Sequence, residues 1–276
     1  VTAEAPPLED LAQSIIPIAQ RAGAAIMDIY RSTPNTRYKA DKSPVTDADH
    51  ASEDLIIDSL SMLFTEIPVV AEEGLAAGNI PDVQKYFFLV DPLDGTKEFI
   101  KKNGEFTINI ALIEAGLPIF GLIYAPDMAD CYVTLSRDTA ARFHLLPDRN
   151  PSPHQKFDFQ RLTGEPSEHR PMTAIVSRSH LTPETENLLK KLGNPERLLL
   201  GSALKFGVIA KGEADVYPRF GRTFEWDTAA GHALLNATGG CVLTGDGGPF
   251  LYGKKDRGFL NPPFVAWRRK PSSFVS

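Results

Sequence analysis

The chain has 276 residues, 42% hydrophobic and 23% charged, which is the make-up of a globular protein long enough to bury a sizeable core. A net charge of −6 argues against a broad basic face for a nucleic-acid polymer, and no run of about 18 apolar residues suits a transmembrane helix. The opening VTAEAPPLED lacks a basic segment leading into an apolar one, so no secretion signal is expected, and Cys131 and Cys241 read as small buried hydrophobes. The expected location is cytoplasmic.

Leu11, Ile15, Ile18, Ala22, Ile26 and Ile29 recur every three or four residues and predict an amphipathic helix, which Pro17 should kink or delay. A second helix is expected over 47–63, with Leu55, Ile56, Leu60 and Leu63 facing inward. Short strands follow at 69–71 and 87–91. Residues 106–114 and 117–125, joined through Ala115-Gly116, read as an antiparallel hairpin that 131–135 and 141–146 extend. The polar, proline-rich stretch 147–171 reads as a surface loop. Strands at 172–176, 197–200, 214–217 and 241–243 then alternate with helices at 183–192, 203–211 and 228–237. Antiparallel pairing followed by alternation predicts an α+β fold of sheet and helix layers, divided into subdomains 1–146 and 147–276 around a ligand. The first 138 residues carry a net charge of −12 and the remainder +6, so an acidic half could gather cations and a basic half an anion.

Three stretches carry the chemistry: Val70-Ala71-Glu72-Glu73-Gly74, Asp91-Pro92-Leu93-Asp94-Gly95-Thr96 and Trp226-Asp227-Thr228-Ala229-Ala230-Gly231. In the second, Pro92 fixes the backbone and Gly95 permits a turn that aims Asp91, Asp94 and the Leu93 carbonyl at one point. Both aspartates follow the apolar Phe87-Phe88-Leu89-Val90, and strand ends of such sheets are favoured ligand sites. Converging carboxylates repel without a cation, whereas magnesium prefers hard oxygen ligands. Taken singly, each stretch also suits a surface turn, a solvated acidic pair or a helix N-cap.

Together, in this order, they resemble the inositol monophosphatase superfamily of lithium-sensitive, magnesium-dependent phosphatases, with DPLDGT at 91–96 and WDTAAG at 226–231 as its two signatures. SPVTDAD at 43–49, VSRSH at 176–180, GSALKFGVIAKGEADVYPRFG at 201–221 and FLNPPF at 259–264 are most similar to the bacterial CysQ-type 3′(2′),5′-bisphosphate nucleotidases. The resemblance implies a layered α/β/α/β/α sandwich of the sugar-phosphatase type and two or three magnesium ions, with inhibition by lithium. It implies that Glu72, Asp91, Asp94, Asp227 and the Leu93 carbonyl bind metal, and that Asp49 and Thr96, with Glu72, position and activate a water. Ala71 stands where many relatives have serine, with little effect expected.

By the same resemblance Ser177, His180, Ser202, Lys205 and Arg219, beside Gly95, Thr96 and Asp227, line a nucleotide pocket. The residues agree in part: Gly201-Ser202 precedes a helix whose free N–H groups would attract an anion, and Lys205 lies one turn in. The expected substrate is a small bisphosphate nucleotide, 3′-phosphoadenosine 5′-phosphate, hydrolysed to AMP. An inositol or sugar phosphate phosphatase on the same scaffold, and a silent nucleotide or cation sensor, are the alternatives. Monomer and homodimer both remain open.

Overall fold

The computed structural model describes residues 5–32, 36–38, 44–152, 155–166, 170–177 and 181–271. Helices are α1 (Leu8–Tyr30), α2 (Asp47–Leu63), α3 (Glu72–Ala76), α4 (Thr96–Ile100), α5 (Pro183–Lys191), α6 (Leu204–Ala210) and α7 (Ala229–Ala237). Strands of the first half are β1 (Thr36–Tyr38), β2 (Pro44–Thr46), β3 (Val69–Ala71), β4 (Tyr86–Asp94), β5 (Thr107–Glu114), β6 (Leu117–Ala125), β7 (Asp130–Ser136) and β8 (Thr139–His144). There follow β9 (Gln160–Leu162), β10 (Thr173–Ser177), β11 (Glu196–Leu200), β12 (Val216–Arg219), β13 (Cys241–Thr244) and β14 (Phe264–Trp267).

Strands β3 to β9 form a seven-stranded sheet in chain order, and a five-stranded sheet runs β11-β10-β12-β14-β13. The run Phe87 to Val90 is apolar at every position because its strand is covered on both faces. Phe88 and Val90 pack into the core under α1 and α2, while Phe87 and Leu89 join the core that α6 and α7 share. The second sheet alternates likewise. Ile175, Tyr217, Phe264 and Ala266 face α6 and α7, whereas Val176, Val216, Val265 and Trp267 pack with Leu188 and Leu189 of α5. The order of layers is therefore α1/α2, sheet, α6/α7, sheet, α5: the five-layer sandwich expected. A β-carbon on Gly121 would lie 2.2 Å from the Ala230 carbonyl oxygen, so α7 rests directly on the β6 backbone.

Several local expectations change. α1 runs through Pro17 as one helix of 23 residues rather than starting after it, because its apolar stripe is buried on both sides of the proline and outweighs one missing hydrogen bond. Leu63 is exposed, since the buried face of α2 ends at Leu60 and residues 61–63 all meet solvent. The stretch 147–171 is not all loop: β9 pairs with β8 and carries the first sheet past residue 146. A three-residue edge strand with two exposed polar side chains gives little periodicity to detect. β14, missed in the sequence, pairs with both β12 and β13. No helix among the described residues is long and apolar enough to cross a membrane.

Candidate active site

β3 and β4 are parallel with Ala71 opposite Val90, so the next residues, Glu72 and Asp91, emerge side by side at the same end of the sheet. Further along β4, Asp91 pairs with Asn109 and Asp94 with Thr107, leaving Pro92 and Leu93 opposite Ile108 alone. Pro92 has no N–H to give the ladder, and two residues against one is a β-bulge, which bends a strand and re-aims its side chains. The expected free turn at 91–96 is thus a bulged strand end closed by Gly95, whose φ is 95°. A β-carbon there would lie 2.9 Å from the Glu105 carbonyl oxygen. Gly95→Ala is expected to lower the unfolding free energy by about 1–3 kcal/mol, measured by urea denaturation.

Asp227 arrives from the opposite side, on the turn that leads into α7. Carboxylate oxygens of Glu72, Asp91 and Asp227 all lie within 4.8 Å of one another. Burial, then the carboxylates of Glu72, Asp94 and Asp227, push Asp91 well above the usual carboxylate range. Asp227 is raised by burial and then by Asp94 and Glu72. Asp94 is pushed up to about 6 by burial, although Lys205 and the Ala203 N–H hold it down. Such crowding of hard oxygens disfavours its own charge and suits a divalent cation. The structure thus brings Glu72, Asp91 and Asp227 together, with Asp94 adjoining and the Leu93 carbonyl at the bulge.

One face of α2 serves this cluster. Asp49 closes the capping box of α2: its Oδ2 accepts the Thr46 N–H at 2.7 Å and the Thr46 hydroxyl at 2.8 Å. Its Oδ1 is left to accept the Thr96 hydroxyl at 3.3 Å, which also lies 3.5 Å from the Leu93 carbonyl. Ser52 donates to the Pro92 carbonyl at 2.9 Å and steadies the bulge. Glu53 accepts the N–H groups of Glu73 at 2.8 Å and Gly74 at 2.6 Å, holding the start of α3 and so Glu72. Burial pushes Glu53 up to about 7, against the pull of those two N–H groups. Glu53 escaped the sequence reading, although it lies four residues from Asp49 on the same helix face.

Two cavities meet at the carboxylates, and Asp94, Gly95, Arg219 and Asp227 line both. The larger, about 460 Å³, is bounded by Glu72, Asp91 and Thr96. The smaller, about 120 Å³, is bounded by Ser177, Ser202 and Lys205. Lys205 is buried and donates to the Ser202 carbonyl at 2.6 Å. Burial lowers it to about 8, with Asp94 opposing and Arg219 adding to the fall. Arg219 ends β12, and its guanidinium donates to the Arg222 carbonyl at 3.2 Å. A negative pole and a positive pole therefore share one opening.

Just before α6, Gly201 donates its N–H to Glu105 Oε2 at 2.8 Å, and the Ala203 N–H helps hold the Asp94 carboxyl down. The bond to Glu105 ties the first half of the chain to the second. Ser202 between them has a φ of 44°, and its hydroxyl accepts the Leu204 N–H at 3.4 Å. Ser177 ends β10, half-buried. His180, with Arg178 and Ser179, lies outside the described residues.

Residues 8–270 match the model of the inositol monophosphatase family. The 3′(2′),5′-bisphosphate nucleotidase CysQ of Escherichia coli K12 is 42% identical over 249 residues, 90% of this chain and 95% of that protein. The nucleotidase of that name from Buchnera aphidicola is 41% identical over 255 residues, 91% of each. The crystal structure of CysQ from Bacteroides thetaiotaomicron superimposes with a TM-score of 0.79 at 37% identity, covering 95% of this chain and 98% of that one.

Proposed function

Because the chain belongs to the inositol monophosphatase family, a metal-dependent family of phosphatases, we propose that it is a 3′(2′),5′-bisphosphate nucleotidase acting on 3′-phosphoadenosine 5′-phosphate. The observation that carries this reading is the pair of adjoining cavities: Glu72 and Asp91 line one, Lys205 lines the other, and Asp94, Asp227 and Arg219 line both. A substrate with two phosphates needs both: one phosphate is to be cleaved and the other held.

Glu72, Asp91, Asp94, Asp227 and the Leu93 carbonyl would hold two or three magnesium ions, which lithium would antagonise. Bound there, the ions would supply positive charge against the phosphate oxygens and a lower pKa for a nearby water. Asp49 would orient Thr96 by accepting its hydroxyl proton, so that the threonine oxygen turns a lone pair toward that water. The water oxygen forms the new bond to phosphorus, the P–O3′ bond breaks, and a proton ends on the 3′ oxygen, giving AMP and phosphate. Lys205, Arg219, Ser177 and Ser202, with His180 from outside the described residues, would hold the second phosphate and the nucleoside. The proposed subdomains, 1–146 around the acidic cluster and 147–276 around the cationic pocket, form one catalytic unit, with β9 adding to the first sheet.

Phosphate release from this nucleotide and from inositol 1-phosphate, with and without magnesium, tests the reading. The nucleotide should be the far better substrate, and only with metal; a preference for inositol 1-phosphate would overturn it. Lys205→Met should raise KM for the bisphosphate nucleotide by about 10- to 100-fold, the worth of a charged hydrogen bond. KM for a simple monophosphate should barely move, and equal losses on both would remove Lys205 from a second-phosphate site.

A further inference from the structure

The FLNPPF stretch at 259–264 has no task in the catalytic reading. It ends a strap, residues 252–261, that lies across 223–228, the segment carrying Asp227. The two hydrogens of the Asn261 side-chain amide go to the Phe224 carbonyl at 2.5 Å and the Thr228 hydroxyl at 3.1 Å, with the Thr223 hydroxyl sharing them at 3.3 Å. Its backbone N–H binds the Thr223 carbonyl at 2.9 Å. Glu225, wholly buried, accepts the N–H groups of Gly253 at 2.7 Å and Lys254 at 2.9 Å, and pairs with Lys254 Nζ at 2.7 Å. The Glu225 N–H in turn donates to the Phe259 carbonyl at 2.9 Å.

The hydroxyl chain behind the strap has a fixed direction. Thr228 receives Asn261, so its own proton goes to the Glu225 carbonyl at 3.2 Å. Tyr252 donates to Thr228 at 3.3 Å, which leaves its oxygen to accept from His232 Nδ1 at 3.1 Å. Burial holds His232 down at about 3, so this histidine is neutral with its hydrogen on Nδ1. All of this converges on Phe224, whose carbonyl is held by Asn261 and whose N–H donates to Asp227 Oδ2 at 2.8 Å. One oxygen of the Asp227 carboxylate is thereby fixed while the side chain faces Glu72 and Asp91.

We infer that the 252–261 strap positions the Asp227 carboxylate for cation binding, with Asn261 and Tyr252 as its positioning residues. This rests on reading Asp227 as a metal ligand. Partners that orient a ligand from behind are commonly worth about 10- to 100-fold in metal affinity. Asn261→Ala would leave the Phe224 carbonyl with only the Asp227 N–H, at 3.2 Å, and would loosen the segment that carries Asp227.

The test titrates the resting protein with Mn²⁺, followed by electron paramagnetic resonance, and assays phosphate release over a Mg²⁺ series. For Asn261→Ala the Mn²⁺ dissociation constant and the Mg²⁺ concentration for half-maximal activity should both rise by about 10- to 100-fold, with turnover recovering at saturating Mg²⁺. Tyr252→Phe removes one hydroxyl from the far end and should raise both by about 2- to 10-fold, deciding the matter if Asn261→Ala does not fold. A lower thermal midpoint with unchanged Mn²⁺ affinity in either folded variant would overturn the inference. If the unaltered protein binds Mn²⁺ but releases no phosphate, the nucleotidase reading fails while the binding titration still judges the strap.

Discussion

Replacing Asp94 by asparagine should abolish turnover, with kcat/KM for the bisphosphate nucleotide falling by at least about 10³-fold, or ~4 kcal/mol of transition-state stabilisation. The substitution keeps the shape and an oxygen able to accept the Ala203 N–H, so the bulge and the neighbouring loop can persist. It removes one negative charge from a group of carboxylates that already push each other upward. Without metal, losing that repulsion offsets the lost attraction to Lys205, so the thermal midpoint should shift by only a few degrees. Adding magnesium should raise the midpoint of the unaltered protein and raise that of Asp94→Asn much less, since stabilisation follows occupancy. Phosphate release and thermal unfolding with and without magnesium check both halves. Unchanged turnover would remove Asp94 from the reaction.

Asp49→Asn and Thr96→Val should each lower kcat by about 10²- to 10⁴-fold with little change in KM, the range for a positioned proton acceptor. The hydrogen bonds of Asp49 explain why the loss is chemical rather than structural. An asparagine there keeps an oxygen for the Thr46 N–H and so keeps the cap of α2, which turns its NH2 group toward Thr96. That group cannot accept the threonine proton, and the hydroxyl then points its hydrogen elsewhere. Since the two side chains act as one unit, the double variant should be scarcely slower than either single one. Single-turnover assays at saturating magnesium check this. Additive losses would mean that Asp49 and Thr96 act separately.

The sequence was legible where residues declare themselves locally. The hairpin of β5 and β6, the buried run Phe87 to Val90 and the amphipathic α1 follow from apolar spacing, and layers of sheet and helix follow from their order, whereas the five-layer stacking came with the family resemblance. Glu72, Asp91, Asp94 and Asp227 stood out only together, in the order that resembles the family's signatures; singly, each stretch suited a turn, a solvated pair or a helix cap. What stayed hidden depends on partners far apart in the chain. Nothing near Gly201 announces that Glu105, 96 residues away, will take its N–H. Glu225 and Asn261 are ordinary polar residues until the fold sets them against Gly253 and Phe224. The bulge at Pro92 was missed because the same residues read equally well as a turn. β9 was missed because three residues at a sheet edge bury too little to leave a pattern.

The bond from Gly201 to Glu105 also bears on how the molecule moves. It stitches the two halves of the chain together beside Ser202 and Lys205, at the edge of the smaller cavity. Swinging the halves apart like a clam shell would tear an acidic side chain from a backbone amide. Substrate exchange should therefore proceed with this stitch intact through each turnover.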